Sequence, residues 1–393
     1  NLFIPFYITL GLLTIIFSLA LWDILSYKNK KLKNHPKVSF IIPAYKAHDT
    51  INKTISSILK QEYPKDKIEI IVYVSGPNLD KYNLPKKVKL IKGKGKIEKA
   101  IAVNRAAKKA KSDFLYIIDS DTLLEKDVLR KTILRFDKSN IGAVTASRVA
   151  IYTGLWSLLQ RAEYAMTNFI LTSYNKLGST VGLFGCSMCF RKQAFNHLNG
   201  LARVPAQDFD AALRLVKAKY KVKCAFTAKA YTYAPGFLKW IKQRFRWMRG
   251  FSLALINHIK IFITEPFGLL FTIIYLSMGI TAVTNYIINA GFTQSLISLI
   301  ILLISFKIPI IAAITIITGT FGWALYDRIM LIVLYSCLSI PYILYPHKKQ
   351  DILKLPLIFL YSLIYLPLFT ITGLVGFILA LKDKIQGKKV IEW

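Results

Sequence analysis

Three groups of residues, in a fixed order along the chain, have the types needed for group transfer from a diphosphate. Asp119-Ser120-Asp121 places two carboxylates two residues apart, enough to put oxygen on a Mg²⁺ or Mn²⁺ ion that bridges a diphosphate. Gln207-Asp208 follows, and a lone carboxylate between a metal motif and a diphosphate-holding motif suits a general base that takes a hydroxyl proton. Gln243-Arg244-Phe245-Arg246-Trp247 comes last. Gln243 and Arg246 are three apart and share a helical face, Arg246 suits a leaving diphosphate, and the flat Trp247 indole suits a sugar ring. Each group has a plainer meaning when taken alone. Asp-x-Asp can be a loop, Asp208 a helix cap, and the Trp–Arg run an interfacial helix.

The positions of these groups follow from the elements around them. Val38–Pro43, Ile68–Val74, Val88–Lys92 and Phe114–Ile118 are short apolar runs of the length of buried strands. Thr50–Gln61 and Glu98–Lys111 have helical spacing between them, Ala211–Ala218 forms a helix after Asp208, and Phe237–Phe251 an amphipathic one. Alternating strands and helices imply an α/β domain with a largely parallel sheet, whose ligands gather at the C-terminal ends of the strands. Pro43, Tyr45, Ser75 and Asp119 fall there.

Apolar residues make up 54% of the chain, too many for an ordinary soluble domain. They concentrate in runs of about 20 residues, the length that spans a bilayer, at 2–24, 267–289, 294–322, 324–346 and 355–381. The third is interrupted at Lys307-Ile308-Pro309. Lys28, Lys30, Lys31 and Lys33 follow the first run, which predicts a retained anchor with the next domain in the cytoplasm. The expected layout is an N-terminal anchor at 1–27, a catalytic domain at 28–236, interface helices at 237–264 and a transmembrane bundle at 265–393. A net charge of +33 fits anionic headgroups beside these spans better than nucleic acid, because the lysines are scattered, and a Lys-rich solvated face accounts for many of them equally well. Cys186 and Cys189 have zinc-ligand spacing, but no second pair follows, so a reduced cytoplasmic domain is expected.

The ordered set resembles the membrane-integrated family 2 glycosyltransferases, which include cellulose, chitin and hyaluronan synthases and ceramide glucosyltransferases. Pro43-Ala44-Tyr45-Lys46 is similar to the family's Pro-Ala-Tyr-Asn opening, and Lys99 to Asn104 to its Lys-x-x-Ala-Leu-Asn donor segment. Gln160-Arg161-Ala162-Glu163-Tyr164 is similar to its Gln-x-x-Glu-Tyr segment. Phe184-Gly185-Cys186-Ser187 resembles the Phe-Cys-Gly-Ser turn that meets the acceptor. The resemblance implies a GT-A-like domain between transmembrane segments in the cell membrane, with metal-dependent, inverting hexosyl transfer. It places Pro43, Tyr45, Ser75, Lys99, Asn104, Asp119, Gln243 and Arg246 at the donor, and Phe184, Gly185, Cys186, Ser187 and Trp247 at the acceptor. A UDP-sugar is the expected donor, although Tyr73 to Pro77 lacks the aspartate that usually contacts the nucleobase.

Two acceptors suit this chemistry. One is a growing polysaccharide passed through the protein's own spans. The other is a membrane lipid, such as a polyprenyl phosphate or a sphingolipid-like molecule, that receives a single sugar. A non-catalytic transporter or receptor that binds nucleotide sugars would need charges at mid-span, and only Lys307 and the Asp327–Arg328 pair qualify.

Overall fold

The computed structural model describes residues 4–27, 30–273 and 361–388. The candidate spans 294–322 and 324–346 lie outside the described residues, as do most of 267–289 and the start of 355–381. Eight strands form one sheet in the order β3-β2-β1-β4-β7-β6-β8-β5. They are β1 (Val38–Tyr45), β2 (Ile68–Ser75), β3 (Val88–Lys92), β4 (Phe114–Ile118), β5 (Leu123–Leu124), β6 (Ile141–Ile151), β7 (Ser187–Arg191) and β8 (Lys221–Tyr233).

The half built from β3, β2, β1 and β4 is parallel, as expected. The other half corrects the expectation, because β7 runs antiparallel between β4 and β6, and β5 antiparallel to β8. The sheet is therefore mixed. Successive residues of a strand face opposite sides, and β1 shows it. Ile41 packs with Ala100 and Val103 of helix α3 (Lys99–Ala107), whereas Phe40 and Ile42 pack with Ile51, Ile55 and Ile58 of α2 (Ile51–Leu59). Both faces are covered, which is why these strands read as continuous apolar runs.

Helix α1 (Ile4–Tyr27) docks on this domain. Ile16 and Ala20 pack on Val149, Phe226 and Phe169, the last on helix α5 (Leu155–Ser173). Asp23 is buried and accepts hydrogen bonds from Arg135 Nη1 at 2.6 Å and Asn175 Nδ2 at 2.9 Å. The Arg135 guanidinium also lies 3.6 Å from the Tyr27 ring. Removing one partner of a buried pair leaves the other charge uncompensated, a larger loss than the pair's net contribution. Asp23→Ala should therefore lower domain stability by about 3 kcal/mol. Denaturant unfolding of wild type and variant in the same detergent checks this, and a midpoint unchanged by Asp23→Ala would contradict it.

The other helices are α4 (Val128–Ile133), α6 (Lys192–His197), α7 (Gln207–Lys217), α8 (Phe237–Asn257), α9 (Ile259–Thr264) and α10 (Leu366–Ile385). Helices α8 and α10 lie against each other. Arg249 donates to both Asp383 oxygens at 2.6 and 2.7 Å, and a Cβ on Gly376 would stand 2.6 Å from Met248 Cβ. Only glycine at 376 allows that approach. Among the described residues no helix is long and apolar enough to cross a membrane.

Candidate active site

Strand β4 is buried along its whole length and delivers Asp119 at its C-terminal end. Its antiparallel partner β7 pairs Ser187 with Ile118, so the 184–186 turn runs beside Asp119. The Asp119 amide donates to the Cys186 carbonyl at 3.4 Å. Lys99 opens α3 and reaches across, its Nζ 2.5 Å from Asp119 Oδ1 and 2.9 Å from the Gly185 carbonyl. Asp208 approaches from the other side, and its Oδ2 accepts the Gly185 amide at 2.7 Å. A Cβ on Gly185 would lie 2.9 Å from that oxygen and 3.4 Å from Lys99 Nζ, so a side chain here would separate the groups that meet. The fold thus brings the Asp-x-Asp pair, Lys99, Asp208 and the 184–187 turn to one place.

Asp208 is the second residue of α7, which starts earlier than the expected Ala211. Its Oδ1 accepts the Phe209 amide at 2.9 Å. Ala206, just before the helix, has φ +52°, a left-handed conformation that non-glycine residues rarely adopt. Gly250 of α8 presses on this corner, and a Cβ there would stand 2.7 Å from the Pro205 carbonyl carbon. Helix α8 therefore buttresses the turn that aims Asp208.

On the donor side, β1 and β2 end together in register, with Tyr45 opposite Ser75. Ser75 is buried, whereas Tyr45 is 42% exposed. The Tyr45 ring lies over Gly76, where a Cβ would sit 2.8 Å from it. Pro43 is half-buried, two residues earlier in β1. Asn104, expected at the donor, is bonded to a neighbouring turn. Its amide donates to the Leu201 carbonyl and accepts from the Leu201 amide, both at 2.9 Å, and so braces α3 against that turn.

The acceptor residues divide. Phe184 and Cys186 are buried, and burial pushes the Cys186 thiol up to about 12. Ser187 is fully buried in β7, with its hydroxyl bonded to Tyr116 at 2.8 Å. The Ser187 and Cys186 side chains thus build the turn, while Gly185 meets Lys99 and Asp208. In α8, Arg246 is exposed, and Gln243 Oε1 accepts from Arg244 Nη1 at 2.7 Å. The sequence reading gave Arg244 and Arg148 no role. Their guanidinium carbons lie 4.4 and 5.0 Å from the Trp247 ring centre. The signal for Arg244 was a charged residue on a helix also read as membrane-facing.

The charge of Asp119 bears on that of Asp121. Burial first, and then the neighbouring Asp119, push the Asp121 carboxyl up to about 6. Two like charges this close, with Lys99 on only one of them, fit a divalent cation, which would relieve both effects. Among the described residues no group of three or more His, Cys, Asp or Glu side chains could hold an ion. Donor phosphate oxygens would complete the coordination.

An α/β sheet that ends in Asp-x-Asp and faces a helix-borne carboxylate across a glycine turn is the GT-A-like architecture of glycosyltransferases. The chain belongs to the family described as glycosyltransferase-like family 2, which matches residues 35–250. It is similar to the poly-beta-1,6-N-acetyl-D-glucosamine synthase of Staphylococcus epidermidis, 27% identical over 222 residues that cover 54% of each chain. The synthase of the same name from Staphylococcus aureus is 27% identical over 227 residues, again 54% of each chain. The chain thus spans about half the length of the curated relatives it matches. Among solved structures it resembles the mannosyltransferase PcManGT from Pyrobaculum calidifontis in complex with GDP-Man and Mn²⁺. That likeness covers 94% of this chain and 99% of the other, with TM-score 0.53 and 17% identity, and it is one of fold.

Proposed function

We propose that this chain transfers a sugar, with inversion, from a nucleotide-diphosphate sugar to the end of a growing polysaccharide at the cytoplasmic face of a membrane. The observation that carries the reading is the junction at Gly185, where Lys99, bound to Asp119, and the Asp208 carboxylate hold the two sides of one peptide turn. Asp208 takes the proton of the acceptor hydroxyl as that oxygen attacks the donor's anomeric carbon. The Gly185 amide holds the carboxylate in place without neutralising it. Lys99 and Arg246 supply positive charge to the departing diphosphate. Asp119 and Asp121 would hold a Mg²⁺ or Mn²⁺ ion, whose chemistry is to neutralise charge on that diphosphate.

The curated relatives support a polysaccharide product and make a UDP-N-acetylhexosamine the first donor to test. The exposed Ile15, Trp22 and Leu25 of α1, and Ile371, Leu374, Phe377, Ile378 and Ile385 of α10, support the membrane location. The test is to incubate the purified protein with a panel of nucleotide sugars and Mn²⁺ and to size the products. Polymer is expected. A single-sugar glycolipid would replace the acceptor assignment, and no transfer from any nucleotide sugar would sink the proposal.

Trp247 and Arg246 should separate the two substrates. A flat indole stacks on a sugar ring, and a guanidinium pairs with a diphosphate. Trp247→Ala should therefore reduce transfer more than donor hydrolysis and leave nucleotide affinity nearly unchanged. Arg246→Ala should weaken nucleotide binding by about tenfold, the scale of one charge-assisted hydrogen bond. Calorimetric titration with nucleoside diphosphate checks both, and equal loss of affinity in the two variants would remove the platform role of Trp247.

A further inference from the structure

We infer that Glu163 is a positioning residue for the acceptor platform and that Tyr365 ties this control to the C-terminal helix. The inference rests on Trp247 being that platform. Glu163, on α5, is buried. Its Oε2 accepts from Arg244 Nη2 at 2.5 Å and from the Tyr365 hydroxyl, while Oε1 lies 4.0 Å from Arg148 Nη2. Both guanidiniums lean on Trp247. One carboxylate therefore fixes two cations, and the two cations fix one indole.

The connections continue outward on both sides. Arg148 also lies 3.8 Å from the centre of the Tyr164 ring and 4.8 Å from that of Phe184, in the turn that carries Gly185. Asn168 holds the Arg148 backbone at both ends, accepting from its amide at 3.1 Å and donating to its carbonyl at 2.8 Å. The Tyr365 hydroxyl accepts from Trp240 Nε1 at 2.6 Å and lies 3.2 Å from Arg244 Nη2. Tyr365 directly precedes α10. The cluster thus joins α5, α8, the Gly185 turn and the C-terminal helix at the residue that would carry the acceptor sugar.

A carboxylate with a single cationic partner would steady a single side chain. This one is shared by two arginines that touch the same aromatic ring, so moving it moves the ring. Misplacing a binding surface by about 1 Å can cost about 10²-fold in rate without contact at the reacting atoms. Lys99 is held by Asp119 and the Gly185 carbonyl, whereas Glu163 holds the arginines beside Trp247, so the effect should fall on acceptor use.

The experiment compares Glu163→Gln, Glu163→Asp and Tyr365→Phe with wild type in a donor-hydrolysis and transfer assay. Nucleoside diphosphate affinity is measured alongside by calorimetry. Glu163→Gln should lower transfer by about 10²-fold relative to hydrolysis, and Tyr365→Phe by about tenfold, with nucleotide affinity held within about twofold. Glu163→Asp should recover part of the loss. If Glu163→Gln fails to fold, Tyr365→Phe, which removes one hydroxyl, still decides. A transfer-to-hydrolysis ratio unchanged in Tyr365→Phe, or nucleotide affinity lost in step with transfer, overturns the inference. Trp247→Ala in the same assay separates the two failures. If it shifts the ratio and Tyr365→Phe does not, the positioning role falls and the platform stands. If Trp247→Ala leaves the ratio unchanged, both fall.

Discussion

Asp208→Asn should lower sugar transfer by about 10²-fold or more while leaving nucleotide affinity close to wild type, the scale of a lost general base. An asparagine carbonyl can still accept the Gly185 amide that Asp208 Oδ2 now accepts at 2.7 Å, which keeps the link to the turn, while the bond from the Phe209 amide to Oδ1 is given up. The ability to take a proton disappears as well. The competing explanation is that Asp208, in the first turn of α7, only favours the positive end of that helix, an effect of about 0.3–1 kcal/mol. Rates and thermal unfolding measured on the same preparations separate the two. Wild-type turnover with a small fall in melting temperature would leave Asp208 as a helix-terminal residue.

Asp121→Ala should abolish transfer, by about 10³-fold or more, and excess EDTA should do the same to wild type. A metal ion at a departing diphosphate contributes several kcal/mol, and about 1.4 kcal/mol is tenfold in rate. Burial first, and the charge of Asp119 second, push the Asp121 carboxyl up to about 6, so its ionised form is held at a cost at this strand end. Removing one should therefore leave fold stability intact or slightly improved while transfer is lost. Undiminished turnover in EDTA, or in Asp121→Ala, would remove the metal role of both residues.

The legible parts of the fold were those in which neighbouring residues carry the pattern. Val88–Lys92 and Phe114–Ile118 are observed at the boundaries read from the sequence, the second as an unbroken apolar run buried along its length, the first as a short, half-exposed edge strand between turns. Strands β6, β7 and β8 were not read as strands. Gly142 and several alanines make β6 look weak, although a Cβ at Gly142 would stand 2.9 Å from Tyr220 Cβ. Strand β8 alternates lysine with buried residues, as a half-exposed strand does, and its pattern is easily lost among so many lysines. The site divides in the same way. Asp119 and Asp208 stood out by type and order, and Lys99 through the family resemblance. The Glu163–Arg244 contact joins residues 81 apart, and nothing local in either segment announces the other. The partner of Asn104, Leu201, is likewise 97 residues away, and nothing local announces it.

The pairing of β4 with β7 also has a consequence for how the chain is made. The Lys99–Gly185 contact closes a loop of 86 residues, and Asp208 follows later still. At synthesis rates of roughly 5–20 residues per second, the ribosome needs about 4–17 s to add that loop. Once made, 20 and 22 residues into that interval, the carboxylates of Asp119 and Asp121 exist for the rest of it without the turn and the base that complete them. A nascent chain halted before Asp208 should therefore bind nucleotide weakly and transfer nothing. Late closure of the sheet delays turnover until the catalytic domain is almost fully translated.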